Sequence, residues 1–246
     1  MQGETRTTTG TALFNLDFAE IAEECYERLG GRELRSGYDL RTARRSLQLL
    51  FIEWVNRGTN MWTIEQIEIP LYPNQIEYNV PVDTVELLDC VVRTGTGQNQ
   101  VDININRISE STYSTIPNKN ARGRPIQFWF NKQSGATTPT GVNSATINIW
   151  PTPDQGTSTT PYYTLVTWRM RRIQDVGTGV NTQDVPFRFL PAMLAGLSYY
   201  LSVKVADIDP NRIAMLKADY EEQYRMAAEE DRDTASFRAV PRIGHV

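Results

Sequence analysis

Hydrolysis by a nucleophile and a histidine needs an imidazole held beside a Ser or Cys by a third group. The only histidine, His245, stands in a polar stretch at the end of the sequence, where no such positioning is expected. Cys25 and Cys90 are too few and too far apart for a disulfide framework or a zinc site, and read as buried thiols in a reducing cytoplasm. Catalytic, metal and cofactor-binding residues are therefore all expected to be absent. Paired carboxylates for glycoside cleavage depend on spacing in three dimensions. Here Glu20, Glu23, Glu24 and Glu27, and again Glu221, Glu222, Glu229 and Glu230, fall at helical spacing and read as solvated faces. The glycines around Gly95 and Gly177 lack the strand-to-helix context of a phosphate cradle and read as turns.

Two further groups bear on binding. In the basic run 169–172, strand alternation sends Arg169 and Arg171 to one face and Met170 and Arg172 to the other. A split run makes a poor phosphate groove, so a solvent or intersubunit role is expected. Trp129, Trp150, Tyr162, Tyr163 and Trp168 read first as core of a β domain, with a sugar-stacking platform as the alternative.

These residues sit in elements that the periodicity marks out. Residues 16–29 place Phe18, Ile21, Ala22, Cys25 and Leu29 on one helical face, with a capping box from Asp17 and Glu20 and a stop at Gly30-Gly31. A second helix is expected over 39–56, with Leu40, Ala43, Leu47, Leu50, Phe51 and Trp54 on its stripe and Gly58 at its end. The short link predicts an antiparallel hairpin. From Met61 the period becomes strand-like: residues 62–69, 75–80, 84–94, 101–107, 126–132, 146–150 and 162–173 read as strands, and 109–116 as a short helix. Their turn-separated spacing predicts an antiparallel sandwich or barrel.

The helical period returns at Pro186, predicting one helix over 186–206, in which Ala192 and Gly196 would let another backbone approach closely. Asp209 and Pro210 then start a helix that runs to about Glu230. The expected fold class is α+β: a discontinuous helical bundle from 16–60 and 184–230, an inserted antiparallel β-sandwich or barrel domain over 61–173, and an extended arm over 231–246. That arm interleaves Arg232, Arg238 and Arg242 with Phe237, Val240, Pro241 and Ile243, a pattern suited to ordering on a partner.

Composition narrows the classes. A net charge of -4 argues against gripping the DNA backbone, though not against a channel through which DNA passes. The first twelve residues are polar and rich in Thr and Gly, so no secretory leader is expected there. Residues 187–206 approach spanning length but contain Arg188, Pro191, Ser198, Ser202 and Lys204, so no membrane span is expected.

The text Ser36-Gly37-Tyr38-Asp39-Leu40-Arg41-Thr42-Ala43-Arg44-Arg45-Ser46-Leu47, continued by Trp54-Val55-Asn56-Arg57-Gly58 and Met61-Trp62-Thr63, resembles the N-terminal part of the head-to-tail adaptors of short-tailed bacteriophages. Residues 187–206, with Asp219-Tyr220 and the acids before Asp231, resemble the closing helices of the same family. The tubular members, whose helices are joined to a β domain, fit the layout best. The resemblance implies a virion protein made in the bacterial cytoplasm and placed at the head-tail junction. It further implies a ring of about twelve copies between the portal and the tail nozzle, with DNA running through the bore. A C-terminal arm toward the portal is also implied, with Arg232, Phe237, Arg238, Val240, Arg242 and Ile243 as its contact candidates. Some relatives are described as cell-wall hydrolases, which keeps a carbohydrate-binding or hydrolytic virion module as the alternative. No motif here carries that activity.

Overall fold

The first helix begins where the sequence supplies its cap. The Glu20 amide donates to Asp17 Oδ1 at 2.8 Å and the Asp17 amide donates back to Glu20 Oε2 at 2.9 Å, so two amides that a helix start leaves without partners are both satisfied. The computed structural model describes residues 16–30, 37–58, 61–95, 97–132, 145–175 and 183–232, with 137–138 and 141–142 described by backbone alone. The expected turn at 177–182 and the link 31–36 lie outside these residues.

In chain order the helices are α1 (Phe18–Arg28), α2 (Gly37–Arg57), α3 (Glu110–Ser114), α4 (Leu190–Ser202) and α5 (Pro210–Glu230). The strands are β1 (Ile64–Leu71), β2 (Glu77–Asn79), β3 (Thr84–Thr94), β4 (Val101–Asn104), β5 (Asn106–Arg107), β6 (Gln127–Asn131), β7 (Thr137–Thr138), β8 (Gly141–Val142), β9 (Thr146–Trp150) and β10 (Tyr163–Arg171). The protein is thus mixed α+β. It divides into two units, one made of 1–62 with 173–246 and the other of 63–172.

In the first unit α4 is the central element, packing against α1, α2 and α5, while α1 and α2 meet each other only narrowly. The reason is compositional. Ala192, Met193, Ala195, Gly196, Leu197, Ser198, Leu201 and Ser202 are all buried, a helix apolar nearly all round, so it must be covered on several sides. Its two buried serines donate to carbonyls of their own helix, Ser198 to Leu194 O and Ser202 to Tyr199 O, each at 2.7 Å. The helix expected over 186–206 is shorter than its hydrophobic pattern. It opens with a 3-10 turn, Phe187–Phe189, and stops at Ser202, where the amides of Lys204 and Val205 fold back onto Leu201 O and Lys204 Nζ donates to Ser46 Oγ at 2.8 Å. Gly58 ends α2 with φ +73, a conformation in which a side chain would be strained.

At Gly196 the expected close approach is made by side chains rather than a backbone. A Cβ there would lie 2.9 Å from both Leu50 methyls and 2.9 Å from Tyr220 Cε2. Ala192 is likewise fully buried.

In the second unit the strands form two four-stranded sheets, in the orders β1-β10-β3-β4 and β2-β9-β6-β5, besides the small pair β7-β8. All pairings are antiparallel except β5 with β6. Among the described residues the two sheets stay separate, so the barrel alternative is not realised. One apolar cluster draws on both sheets: Leu71, Leu87, Val92 and Leu165 from the first, Phe128, Phe130, Ile147 and Ile149 from the second. The single strand expected over 101–107 breaks at Ile105. That residue is buried, its amide donates to Cys90 O at 3.4 Å, and the next amide, of Asn106, donates to Ile126 O of the other sheet at 2.9 Å.

The space at Gly196 supports a first prediction. Gly196→Val overpacks a site whose ring wall is pinned by two hydrogen bonds, and should lower the unfolding free energy by about 1–3 kcal/mol. Urea denaturation checks this, and Leu50→Ala in the same chain should recover part of the loss.

Candidate functional site

A densely connected polar group of the helical unit is the carboxylate of Glu53, on α2. It accepts from Arg57 Nε at 2.8 Å, from the Tyr220 hydroxyl at 3.0 Å and from the Tyr200 hydroxyl at 2.7 Å. The Tyr220 oxygen in turn accepts from the indole N–H of the fully buried Trp54 at 3.1 Å. Arg57 extends the network to α5, donating to Glu221 at 3.0 and 2.9 Å while its guanidinium lies 4.4 Å from the centre of the Tyr224 ring. Three helices are thereby fixed in register around one anion. The titration behaviour follows: burial, then the nearby Glu53 charge, push the Tyr220 hydroxyl well up, and burial with the Glu53 hydrogen bond raises Tyr200 to about 12. The Arg57 hydrogen bond holds Glu221 below its ordinary range. The two hydroxyls thus keep their protons and Glu221 its charge around neutral pH, which suits a clamp.

A second anchor lies beside it. Asp231, just past α5, is buried; it accepts from the Met61 amide at 2.9 Å and pairs with Arg188. Asp231 is thus part of the helical unit. Arg232, the first candidate of the expected arm, is exposed and lines an open groove of about 590 Å³ with Arg57, Glu222, Tyr224, Arg225 and Glu229. Phe237, Arg238, Val240, Arg242, Ile243 and His245 lie outside the described residues.

The sequence-derived candidates of the β unit separate widely. Arg169 is buried, with Nε 2.8 Å from Glu65 Oε1 and Nη1 2.6 Å from Asp83 Oδ1 and 2.8 Å from Thr84 Oγ1; Arg171 reaches the same Glu65 at 3.5 Å. Arg169 is consumed inside the unit while Arg172 is exposed, which corrects the expected solvent or intersubunit role for Arg169 alone: its partners come from β1, β3 and the turn before β3, invisible in a linear reading. Of the five aromatics expected in the core, only Tyr163 is buried there. Alternation turns Phe128 and Phe130 of β6 inward and so Trp129 outward, where it stacks on Tyr113 with ring centres 5.1 Å apart. The Trp150 indole donates to Asn118 O at 3.0 Å, Trp168 is half-buried and Tyr162 is exposed. Trp129 and Trp150 are occupied by the 110–121 segment rather than presented to a sugar.

Both thiols are buried, and burial raises Cys25 to about 12 and Cys90 to about 11, so neither is a nucleophile at neutral pH. Among the described residues no cluster of three His, Cys, Asp or Glu is placed to hold a metal ion, and no helix is long and apolar enough to cross a membrane.

Glu53 and Arg57 escaped the sequence reading as a site, although their four-residue spacing signals a pair. Tyr200 and Glu221 carried no signal, because their roles arise only when distant helices meet. The same is true of the bare sides of α2 and α5, where Leu49, Ile52, Met215 and Met226 stand exposed. Comparison with known proteins finds no family model and no curated protein that matches the chain.

Two predictions rest on these clamps. Tyr220→Phe leaves the buried Trp54 N–H without an acceptor and should cost about 1–3 kcal/mol, whereas Tyr200→Phe, which leaves Glu53 its other donors, should cost about 0.5–1.5 kcal/mol; chemical denaturation of the two variants distinguishes them. Asp83, its carboxyl held low first by the Arg169 hydrogen bond, gives stability that is present above its ordinary value of 3.8 and lost as pH falls through the lower folded value. Asp83→Asn should therefore be less stable than the parent at pH 6, with the gap narrowing as pH falls below 3.8.

Proposed function

We propose that this chain is a structural, non-enzymatic virion protein of a short-tailed bacteriophage, a ring-forming head-to-tail adaptor joining the portal to the tail nozzle around a DNA channel. The observation that carries this reading is the meeting of the two regions that resemble such adaptors. The stretch 37–57 forms α2, 187–202 forms α4 with its opening turn, and Asp219-Tyr220 lies in α5. Though far apart in the sequence, they share one core, where Leu50 lies against Gly196 and Trp54 donates to Tyr220.

In this reading the helices form a bundle acting as a rigid wedge, and the β unit is an inserted sandwich offering a surface to the nozzle. Both tasks rest on contact area, for which about 800 Å² per partner is ordinary, and closure of a ring repeats each contact without new sequence. The mild net acidity, -4 in all, suits a bore along which DNA slides. The carbohydrate-binding alternative is the weaker reading, since Trp129 is stacked on Tyr113 and the Trp150 indole is held by Asn118 O.

The arm is tested by truncation, and the burial of Asp231 sets where the cut must fall. A chain ending at Arg232 keeps the Asp231 anchor and should fold with unchanged stability, yet attach to purified portal rings at least about tenfold more weakly. Negative-stain imaging and co-sedimentation with portal read this out. Unchanged attachment removes the arm from the account, and a full-length chain that never attaches, or that turns over cell-wall glycan, overturns the adaptor reading.

A further inference from the structure

Helices α2 and α5 each bury one face and leave the other bare. On α2 the bare stripe is Tyr38, Arg41, Arg45, Leu49, Ile52 and Asn56, in the three- and four-residue steps that keep side chains in line. Its first half is cationic and its second aliphatic, with Leu49 50% and Ile52 56% exposed. On α5 the stripe is Met215, Ala218, Glu222, Met226 and Glu229, followed by Glu230; Met215 is 70% exposed.

Glu229 meets its own-helix neighbour Arg225 at 3.4 Å, but the other charges on the two stripes lack partners of opposite sign among the described residues. Arg41 and Arg45 hydrogen-bond only to oxygens of their own helix, Gly37 O at 3.2 Å and Thr42 Oγ1 at 3.5 Å, and Glu222 and Glu230 have no ion pair among the described residues. Glu230, without such a neighbour, closes a helix whose last turn carries no basic residue, where the helix dipole disfavours a carboxylate. Such an arrangement is unfavourable for the isolated chain and is relieved by an external cation.

We infer that the two stripes are the two halves of one head-to-tail contact, in which α2 of one copy lies antiparallel on α5 of the next. Run in that direction, Arg41 and Arg45 come opposite Glu222 to Glu230, and Leu49 and Ile52 come opposite Met215 and Ala218. The spacing agrees, since Arg41 and Ile52 stand as far apart on α2 as Met226 and Met215 do on α5. An apolar centre with complementary charge beside it is the usual anatomy of a specific protein contact, and the antiparallel dipoles add to it. Because the two surfaces differ, the contact is heterologous and repeats from copy to copy until it closes. This inference rests on the ring-forming reading and names the faces that would make the ring.

Crosslinking tests it. The native thiols are buried, so Ile52→Cys and Met215→Cys each introduce one reactive thiol on an exposed position. Oxidation of a mixture of the two full-length variants should give a mixed dimer, while each alone stays monomeric. Arg41→Glu/Arg45→Glu in the Ile52→Cys chain should cut the yield at least about tenfold, and Glu222→Arg/Glu230→Arg in the Met215→Cys chain should restore it. Dimers of Ile52→Cys alone, a yield indifferent to charge reversal, or no mixed dimer overturns the pairing. So does a short DNA duplex that the parent binds and the Arg41→Glu/Arg45→Glu chain does not, in the absence of crosslinking. Attachment to portal without crosslinking would sink the pairing and leave the adaptor reading standing; crosslinking without attachment would do the reverse.

Discussion

Glu53 sits half out of water in a helical core, and an anion there is tolerated only while donors surround it. Those donors come from three helices: Arg57 from its own, Tyr200 from α4 and Tyr220 from α5. Losing any one of these hydrogen bonds leaves the remaining donors to hold an under-solvated charge. Apolar packing alone would let α2, α4 and α5 slide past one another by a turn at modest cost. The carboxylate permits one register, because only one brings two hydroxyls and a guanidinium to it together. Leu50 against Gly196 then becomes a fixed contact.

The β unit uses the same device with the sign reversed. Arg169 is buried at the end of β10 with Glu65 of β1, Asp83 before β3 and Thr84 within it. Strand register is the quantity most easily lost in a sheet, since a shift of one residue exchanges its two faces. A buried guanidinium with oxygens on both neighbouring strands opposes that shift at the point where the pairing of β10 with β3 becomes irregular, between Thr167 and Arg171. In each unit the least soluble charge therefore defines alignment, while apolar residues supply most of the driving force.

Periodicity made the elements legible and left their partners hidden. The capping box at Asp17 and Glu20, the stops at Gly30 and Gly58, the start at Asp209-Pro210 and the full extent of β3 and β9 follow from local rules, because each is settled by neighbours within four residues. Where the reading failed, a tertiary contact decided. Residues 203–206 look helical, yet Lys204 is drawn to Ser46; residues 101–107 look like one strand, yet Ile105 is needed in the core and the chain changes sheets there. The aromatics failed for another reason. Composition counts tryptophans, but alternation with Phe128 and Phe130 decides which way they face.

The distribution of satisfied and unsatisfied charge then bears on function. Inside both units nearly every polar group described is matched, down to serines bonding their own helix and thiols kept neutral by burial. Outside, matching is selective. The Arg93 guanidinium meets Glu68 at 2.6 Å and Asp102 at 2.9 Å on the sheet surface, and Arg57 meets Glu221, showing that this chain pairs surface charges where geometry allows. Arg41, Arg45, Glu222 and Glu230 are left beside exposed Leu49, Ile52, Met215 and Met226. Solubility alone would favour lysines and glutamates without large apolar neighbours. The proposed contact would set the cationic-aliphatic face of α2 against the acidic, methionine-bearing face of α5 in another copy, giving these charges the partners they lack among the described residues.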